Sequence, residues 1–540
     1  MRYSIIGILG VAAMFAACSQ TVSASSDDEV ISLASSSSKK GKSSSSKDSG
    51  KISSSSTEKQ AGSSSSNKPN DEKLSSSSVA EELDENCVGE PGNPWDGTTA
   101  KDFACGAGTK LSPYIILTAE QLAHLSFVVN ASDKDYQGKY FKLGADIKLN
   151  KGDIIDEKGA LVGDSTKLHK WTPIGNASVS FDGVFDGAGY TVSGIFINTT
   201  SNNNGLFGNS SGTIQNVIVD NSWIMGGGAS AGVLGHLKGA GLVKNTVNKA
   251  SVVGIGNITG GVIGNYETVC CNNKVGTVEN VENRGVVTGP KTVGGIIGNA
   301  QSIRISDARN YAEVQGTSNT GGVAGYLGPN SILNNVANYA KIIGKENTAG
   351  IAGYFGYWLN CGTTDKHGVM TNAKNSGKIE GEKYTAGIVG ENECSKNINV
   401  ANDAEIVASS YVAGLFGHSK NSITESAYNM GDVYGSIYVG GITGYNEIGV
   451  SQSVYSTGKV DGDSLVGLMI GYNYNTTMAD YYYLEQGEQE PFGLNNSGGV
   501  ATPKSADEMK SDEFAELLGD EFVYDSGLND GYPVLSWEKE

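Results

Sequence analysis

The sequence predicts an all-β chain wound into a right-handed parallel β-helix, a solenoid of about ten or more coils of roughly 27 residues with short helical caps at both ends. Three periodic features carry that expectation. A phrase of glycine, two mostly apolar residues and glycine opens at Gly205, Gly232, Gly261, Gly295, Gly322, Gly350, Gly387, Gly414 and Gly441, with a distorted tenth copy from Gly467 to Gly471. Most intervals are 26–29 residues, and those after Gly261 and Gly350, at 34 and 37, mark insertions. An asparagine column keeps the same period through Asn221, Asn248, Asn283, Asn310, Asn338, Asn375, Asn402 and Asn429, ending in Ser456. Four residues beyond it stands an apolar, mostly β-branched position, from Met225 through Val252, Val287 and Val314 to Val460. Two residues beyond it stands Gly or Ala, with Trp223 the exception; six beyond stands Gly, with Ala408 the exception.

Short β-branched runs between small turn residues read as strands. A 27-residue unit has room for about three strands and three turns, each strand pairing with its counterpart about 4.8 Å above and below. The asparagines then have a structural reason. Asn tolerates the left-handed backbone of a tight turn, and its amide donates to and accepts from the copy stacked on it.

Read from the start, the chain divides into a signal peptide (1–18), a linker (19–86), an N-terminal cap (87–135), the solenoid (136–484) and a C-terminal cap (485–540). Arg2, an apolar run and Phe15-Ala16-Ala17-Cys18 form the pattern of a lipoprotein signal peptide, with Cys18 as the acylated first residue after cleavage. An ordinary secretory peptide with a chance cysteine is the alternative. Ser19 after the cysteine resembles lipoproteins sorted to an outer membrane. The expected location is therefore the outer membrane, exposed at the cell surface, with the membrane engaged through the N-terminal lipid. The linker carries five blocks of four serines with Lys, Asp and Glu between them, too little apolar surface to offset chain entropy, and reads as a disordered tether.

Six further cysteines in an oxidising compartment favour disulfides over metal ligands. Cys87 and Cys105 bracket a short loop and are expected to pair. Cys361 and Cys394 follow the glycine phrase in consecutive coils, at a separation a disulfide spans, and are expected to pair as well. Cys270 and Cys271 are adjacent in sequence and form either a vicinal disulfide or free thiols. No metal or other cofactor is expected, with no Cys-x-x-Cys pair and five scattered histidines.

An open solenoid exposes strand edges at both ends. Thr118-Ala119-Glu120-Gln121 is a capping-box pattern opening a helix to about Val129, and Ser505-Ala506-Asp507-Glu508 opens another to about Leu518. Both read as caps. Three residues after the asparagine column stand Glu313, Lys341, Lys378, Glu405, Asp432 and Lys459, which predicts cross-coil ion pairs of Glu313 with Lys341 and of Asp432 with Lys459.

These residues resemble the GLUG-motif repeat family of bacterial surface proteins, which includes the non-catalytic part of some immunoglobulin A proteases. The resemblance spans about residues 112–540. It takes in Tyr114-Ile115-Ile116-Leu117-Thr118, Trp171-Thr172-Pro173-Ile174-Gly175, the Phe-Asp-Gly phrases at Phe181 and Phe185, and the closing Asn529-Asp530-Gly531-Tyr532-Pro533-Val534-Leu535. It implies a β-helix and a surface location. The His-Glu-x-x-His helix of its peptidase members does not occur in the sequence.

The formal charge of −19 disfavours nucleic acid as a partner. β-Helical polysaccharide lyases and hydrolases need converging carboxylates, and Asp182 with Asp186 is the best pair on offer, although Asp-Gly turns account for both. Tyr326 with Tyr354, and Tyr445 with Tyr472, follow the glycine phrase in adjacent coils, and Tyr357 with Trp358 lies in the longest insertion. The stacked tyrosines form either a platform for sugar rings or a self-stacking ladder. The resulting expectation is a monomeric, surface-tethered, non-catalytic adhesion or recognition rod for an unidentified extracellular protein or glycan. The alternative is a glycan-binding accessory protein for attachment to plant polysaccharide, and a polysaccharide-active enzyme comes third.

Overall fold

One coil shows how the chain is wound. Ile297–Ala300 runs along one face, Arg304–Asn310 along the next, Val314–Gln315 along a third and Thr320–Gly321 along a fourth, and Ala324–Leu327 returns to the first. Each segment pairs in parallel with its equivalent one coil away, as Ile297 does with Ala324 and Ala308 with Val336. Repetition of this unit gives a parallel β-solenoid of about 13 turns. Its four ladders, sheets I to IV in the order just given, hold 11, 17, 10 and 8 strands among the described residues. The structure is a computed structural model describing residues 86–268, 275–356 and 367–539. Four strands per coil replace the expected three, because a two-residue strand such as Val314–Gln315 is too short to leave a period of its own in the sequence.

The interior is a set of aligned columns. Val314, Ile342, Ile379 and Ile406 stack in register and are fully buried, as the β-branched column predicts. The asparagine column is buried beside it. Asn248, Asn283, Asn310, Asn338, Asn375 and Asn402 each donate Nδ2 to the Oδ1 of the next, at 2.7–2.8 Å, with Asn429 the last acceptor. Each of these donors also bonds the carbonyl two residues on, so the amide closes a corner as well as linking coils.

From Gly232 to Gly414 the opening glycine of each phrase belongs to the same construction. A Cβ at Gly322 would stand 2.2 Å from the Gly350 carbonyl oxygen and 2.4 Å from Asn338 Oδ1, closer than any side-chain carbon can come. The two sequence columns are therefore one packing unit, the amide filling the space that the glycine leaves. In the last coil both are lost together: Tyr483 pairs with Ser456 in the asparagine column, and Leu468 takes the glycine's place. The distorted tenth copy is thus in register, with Gly467 aligned to Gly440 and Ile470 to Thr443.

Two local expectations are corrected. The ladder asparagines do not have left-handed backbones; that conformation falls three residues earlier, at Asn245, Asn280, Asp307, Asn335, Asn372 and Asn399, where each long strand of sheet II bends. The ladder steps over these residues, pairing Lys244 with Glu279 and Thr246 with Val281. Asn221 is also outside the column. Val219 aligns with Asn248 and Ile224 with Val252, while Asn221 holds the loop at Gly152 and Ile154. The misfit of Trp223 in the sequence alignment marks that shift.

The N-terminal end is closed as expected. A helix, α1 (Ala119–Asn130), carries the capping box of Thr118 and Gln121 and buries Leu122, Leu125 and Val128 against the first coils. The solenoid itself begins earlier than predicted, since Tyr114–Ile116 already pairs with Phe141–Leu143. It ends later, since Phe492–Asn495 and Thr502–Lys504 add to sheets I and II. The predicted second helix is two, α2 (Ala506–Met509) and α3 (Asp512–Leu518), because Ser511 caps a new start by accepting from Phe514 N–H. These helices do not plug the end of the solenoid. With Phe522, Tyr532 and Leu535 they cover the outer face of sheet II over Ala401, Tyr428, Tyr455 and Tyr482, forming a lateral clasp with its own core.

The outer charges pair differently from the prediction. Lys341 reaches Glu380 at 2.7 Å rather than Glu313, and Lys378 bridges Glu405 at 2.7 Å. Lys459 turns to Asp461, leaving Asp432 to accept from the Lys459 backbone N–H. For Lys341 and Lys459 the partner is the acidic residue two positions beyond the charged column, whereas Lys378 keeps the cross-coil partner Glu405.

Candidate functional site

Several of the predicted site residues are structural. Cys87 and Cys105 form a disulfide that ties the entry loop. Cys394 is disulfide-bonded, and its expected partner, Cys361, lies outside the described residues. Cys18, Cys270, Cys271, Tyr357 and Trp358 lie outside them too. Asp182 accepts from Gly138 N–H at 2.9 Å, while Asp186 accepts from Ala188 N–H and the side-chain amides of Gln215 and Asn216. The carboxylate pair is therefore engaged in turns and amides. Among the described residues no group of three His, Cys, Asp or Glu side chains is placed to hold a metal ion.

The two tyrosine pairs are ladders. Tyr326 and Tyr354 are aligned in sheet I with ring centroids 5.1 Å apart and nearly parallel, so each covers a face of the other. Tyr354 is 7% exposed and donates its hydroxyl to Glu393 at 2.7 Å; burial, with that carboxylate, pushes its pKa far above the ordinary phenol value. It is not a surface contact.

Tyr445 and Tyr472, stacked at 4.9 Å, belong to something larger. Sheet I brings His418 onto the same column, 5.1 Å from Tyr445. Beside it, from sheet IV, runs a second column that the sequence reading missed: Tyr384, Tyr411 and Tyr438, with centroids 4.6 Å apart at each step. The columns meet edge to face, Tyr411 with Tyr445 at 6.2 Å and Tyr438 with Tyr445 at 5.9 Å. The signal was available, since 384, 411 and 438 are spaced by the 27-residue period. All six residues are half-buried, His418 the most deeply engaged, with both ring nitrogens buried.

The second column sits on an unusual backbone. Tyr384, Tyr411 and Tyr438 have φ of 52°, 54° and 58°, the left-handed region that costs a residue with a Cβ about 1–2 kcal/mol. The closing glycine of each phrase makes room for this bend: a Cβ at Gly390 would lie 2.5 Å from the Tyr384 carbonyl oxygen. Where other coils make a left-handed bend in this ladder, Asn347 or Leu465 occupies it.

Other surfaces are smaller or differently built. Tyr311 and Tyr339, 39% and 46% exposed, stack at 5.1 Å beneath the Arg284 guanidinium. At the N-terminal cap, Trp95, Phe127, Lys170 and Trp171 line a cavity of about 570 Å³. A trough of about 500 Å³ runs past Asn203, His236, Asn257 and Asn265.

No family model matches the chain. A protein named "Putative Gly-rich membrane protein" from Evansella cellulosilytica is 37% identical over 140 residues, 25% of this chain and 14% of that protein. Halomucin from Haloquadratum walsbyi is 30% identical over 210 residues, 38% of this chain and 2% of that protein. The chain thus spans only a small part of either relative. A crystal structure described as a "putative immunoglobulin A1 protease" from Bacteroides ovatus aligns over 81% of this chain and 98% of its own at 16% identity, with a TM-score of 0.36, and carries no argument here.

Proposed function

We propose that the protein is a non-catalytic recognition rod of GLUG-type repeats, held at a bacterial outer membrane through a lipid on Cys18 and presenting its outer face to an extracellular ligand. The observation that carries this reading is the two-column aromatic patch, six half-buried rings on a scaffold whose interior columns hold their spacing fixed. Engagement of Asp182 and Asp186 in turns supports the non-catalytic part. A repeat whose every coil is locked to the next suits a rod better than a hinged cleft. The test uses the purified full chain against insoluble cellulose, xylan and a panel of extracellular matrix proteins, with reducing and unsaturated ends assayed in parallel. Saturable binding with no new ends is the expected result. Release of ends would make the protein an enzyme, and absence of binding to every glycan and protein would overturn recognition.

A further inference from the structure

We infer that the patch of Tyr384, Tyr411, Tyr438, Tyr445 and Tyr472 is the binding face, and that its ligand is an uncharged, extended polysaccharide lying along the solenoid axis. The inference rests on the recognition reading above and gives it a site and a ligand class.

The backbone is the first argument. A column of residues in the left-handed region is most easily built from Asn, and the chain does so repeatedly in sheet II, at Asn245, Asn280, Asn335 and Asn372. In sheet IV it places tyrosine at three successive bends. The side chain, not the bend, explains that choice.

Spacing is the second. Centroids step by 4.6 Å along one column and by 5.1 and 4.9 Å along the other, in the direction in which coils stack. A surface that repeats at this interval is complementary to a polymer with a similar repeat, close to what one pyranose adds to an extended chain. A globular partner has no such period. Because the rings stack on one another, the surface offers ring edges alternating with hydroxyls, and those of Tyr411, Tyr438 and Tyr445 have no hydrogen bond within the described residues. Alternating hydroxyls and C–H groups are what a sugar chain presents in return.

Charge is the third. The chain carries a formal −19, yet two lysines, Lys383 and Lys420, stand beside the patch with the carboxylates Glu391 and Glu447. The Lys383 ammonium lies 4.2 Å above the Tyr384 ring, Lys420 pairs with Glu447 at 3.4 Å, and Glu391 accepts from the side-chain amide of Asn347 at 3.1 Å. Ser410 precedes Tyr411 and aligns with Ile437, which in turn aligns with Ser464 in the next coil. A neutral window in an acidic protein complements a neutral polymer and repels an anionic one.

The experiment compares the full chain with a Tyr411→Asn, Tyr438→Asn double variant, using cellohexaose, xylohexaose and polygalacturonate as probes and thermal melting as the control. The double variant is expected to bind the neutral oligosaccharides about tenfold or more weakly, while melting at the same temperature or higher because Asn accepts the bend more readily. Tyr411→Phe, which keeps the stack and deletes a hydroxyl, is expected to weaken binding without moving the melting temperature. Tyr311→Ala with Tyr339→Ala should leave binding unchanged. Undiminished binding by the double variant, or tighter binding of polygalacturonate than of the neutral probes, would overturn the inference and leave the rod reading standing. Binding of a matrix protein with no binding of any glycan would do the same, whereas no binding of any kind would remove both.

Discussion

Asn338 donates one N–H to Asn375 Oδ1 and the other to the Ala340 carbonyl, each at 2.8 Å, while its own Oδ1 accepts from Asn310. Every polar atom of this fully buried side chain is matched, so the site discriminates sharply between isosteres. Asn338→Asp would set a carboxylate oxygen against two acceptors, and is expected to destabilise by about 3 kcal/mol or more, read as a fall in the urea midpoint. Thr385 makes the opposite case. Its hydroxyl is buried without a partner, and its aligned neighbour in the next coil is Val412. Thr385→Val is expected to stabilise by about 1 kcal/mol, checked by the same titration. At this scale the sequence was legible where a residue repeats in one role: the asparagine ladder, the β-branched column and the capping box at Thr118 could all be read from spacing. The left-handed positions could not, because Asn serves in both columns and only the ladder register shows which one bends.

At the scale of elements, the clasp is what periodicity could not reveal. Its residues occur once, so nothing repeats to announce where they pack, although Tyr428, Tyr455 and Tyr482 do recur at the coil period on the face that it covers. Glu538 is the pin. Its carboxylate, 7% exposed, accepts from the Tyr428 hydroxyl at 2.9 Å and from the Lys374 ammonium at 2.6 Å, and Asp403 completes the cluster at 3.1 Å. Burial alone would lower the Lys374 pKa, but the two carboxylates together hold it above the ordinary value. Glu538→Ala leaves a buried phenol without its acceptor and is expected to cost about 2–3 kcal/mol. Because a solenoid unfolds by neighbouring units, that loss should appear as faster hydrogen exchange in strands Ile423–Asn429 and Val450–Ser456, with the coils around Asn283 unchanged. A uniform loss of protection along the whole chain would mean that the clasp is coupled to every coil.

Across the whole molecule, stability is a chain of nearest-neighbour contacts, and the N-terminal end holds one buried and one half-buried imidazole that make it sensitive to acid. His124, on α1 against Phe103, is 7% exposed, and His236 lies in sheet I between Asn209 and Asn265. Burial pushes both pKa values below the ordinary 6.5, against the smaller opposing pull of carboxylates, among them Asp102 near His124 and Glu267 near His236. The unfolded chain therefore binds protons first as pH falls. The folded state keeps its full advantage above about 6.5 and loses it as the pH drops toward the depressed folded values. Taking the pH from about 7.5 to 5.5 is expected to open α1 and the strands Phe207–Ser210 and Leu234–Lys238 to hydrogen exchange. His236→Asn copies the residue that the aligned coils already use, and His124→Phe removes a ring nitrogen that is buried without a partner. The double variant should keep its N-terminal protection across the same interval. If it opens as readily as the parent, the acid response belongs to the carboxylates and not to the histidines.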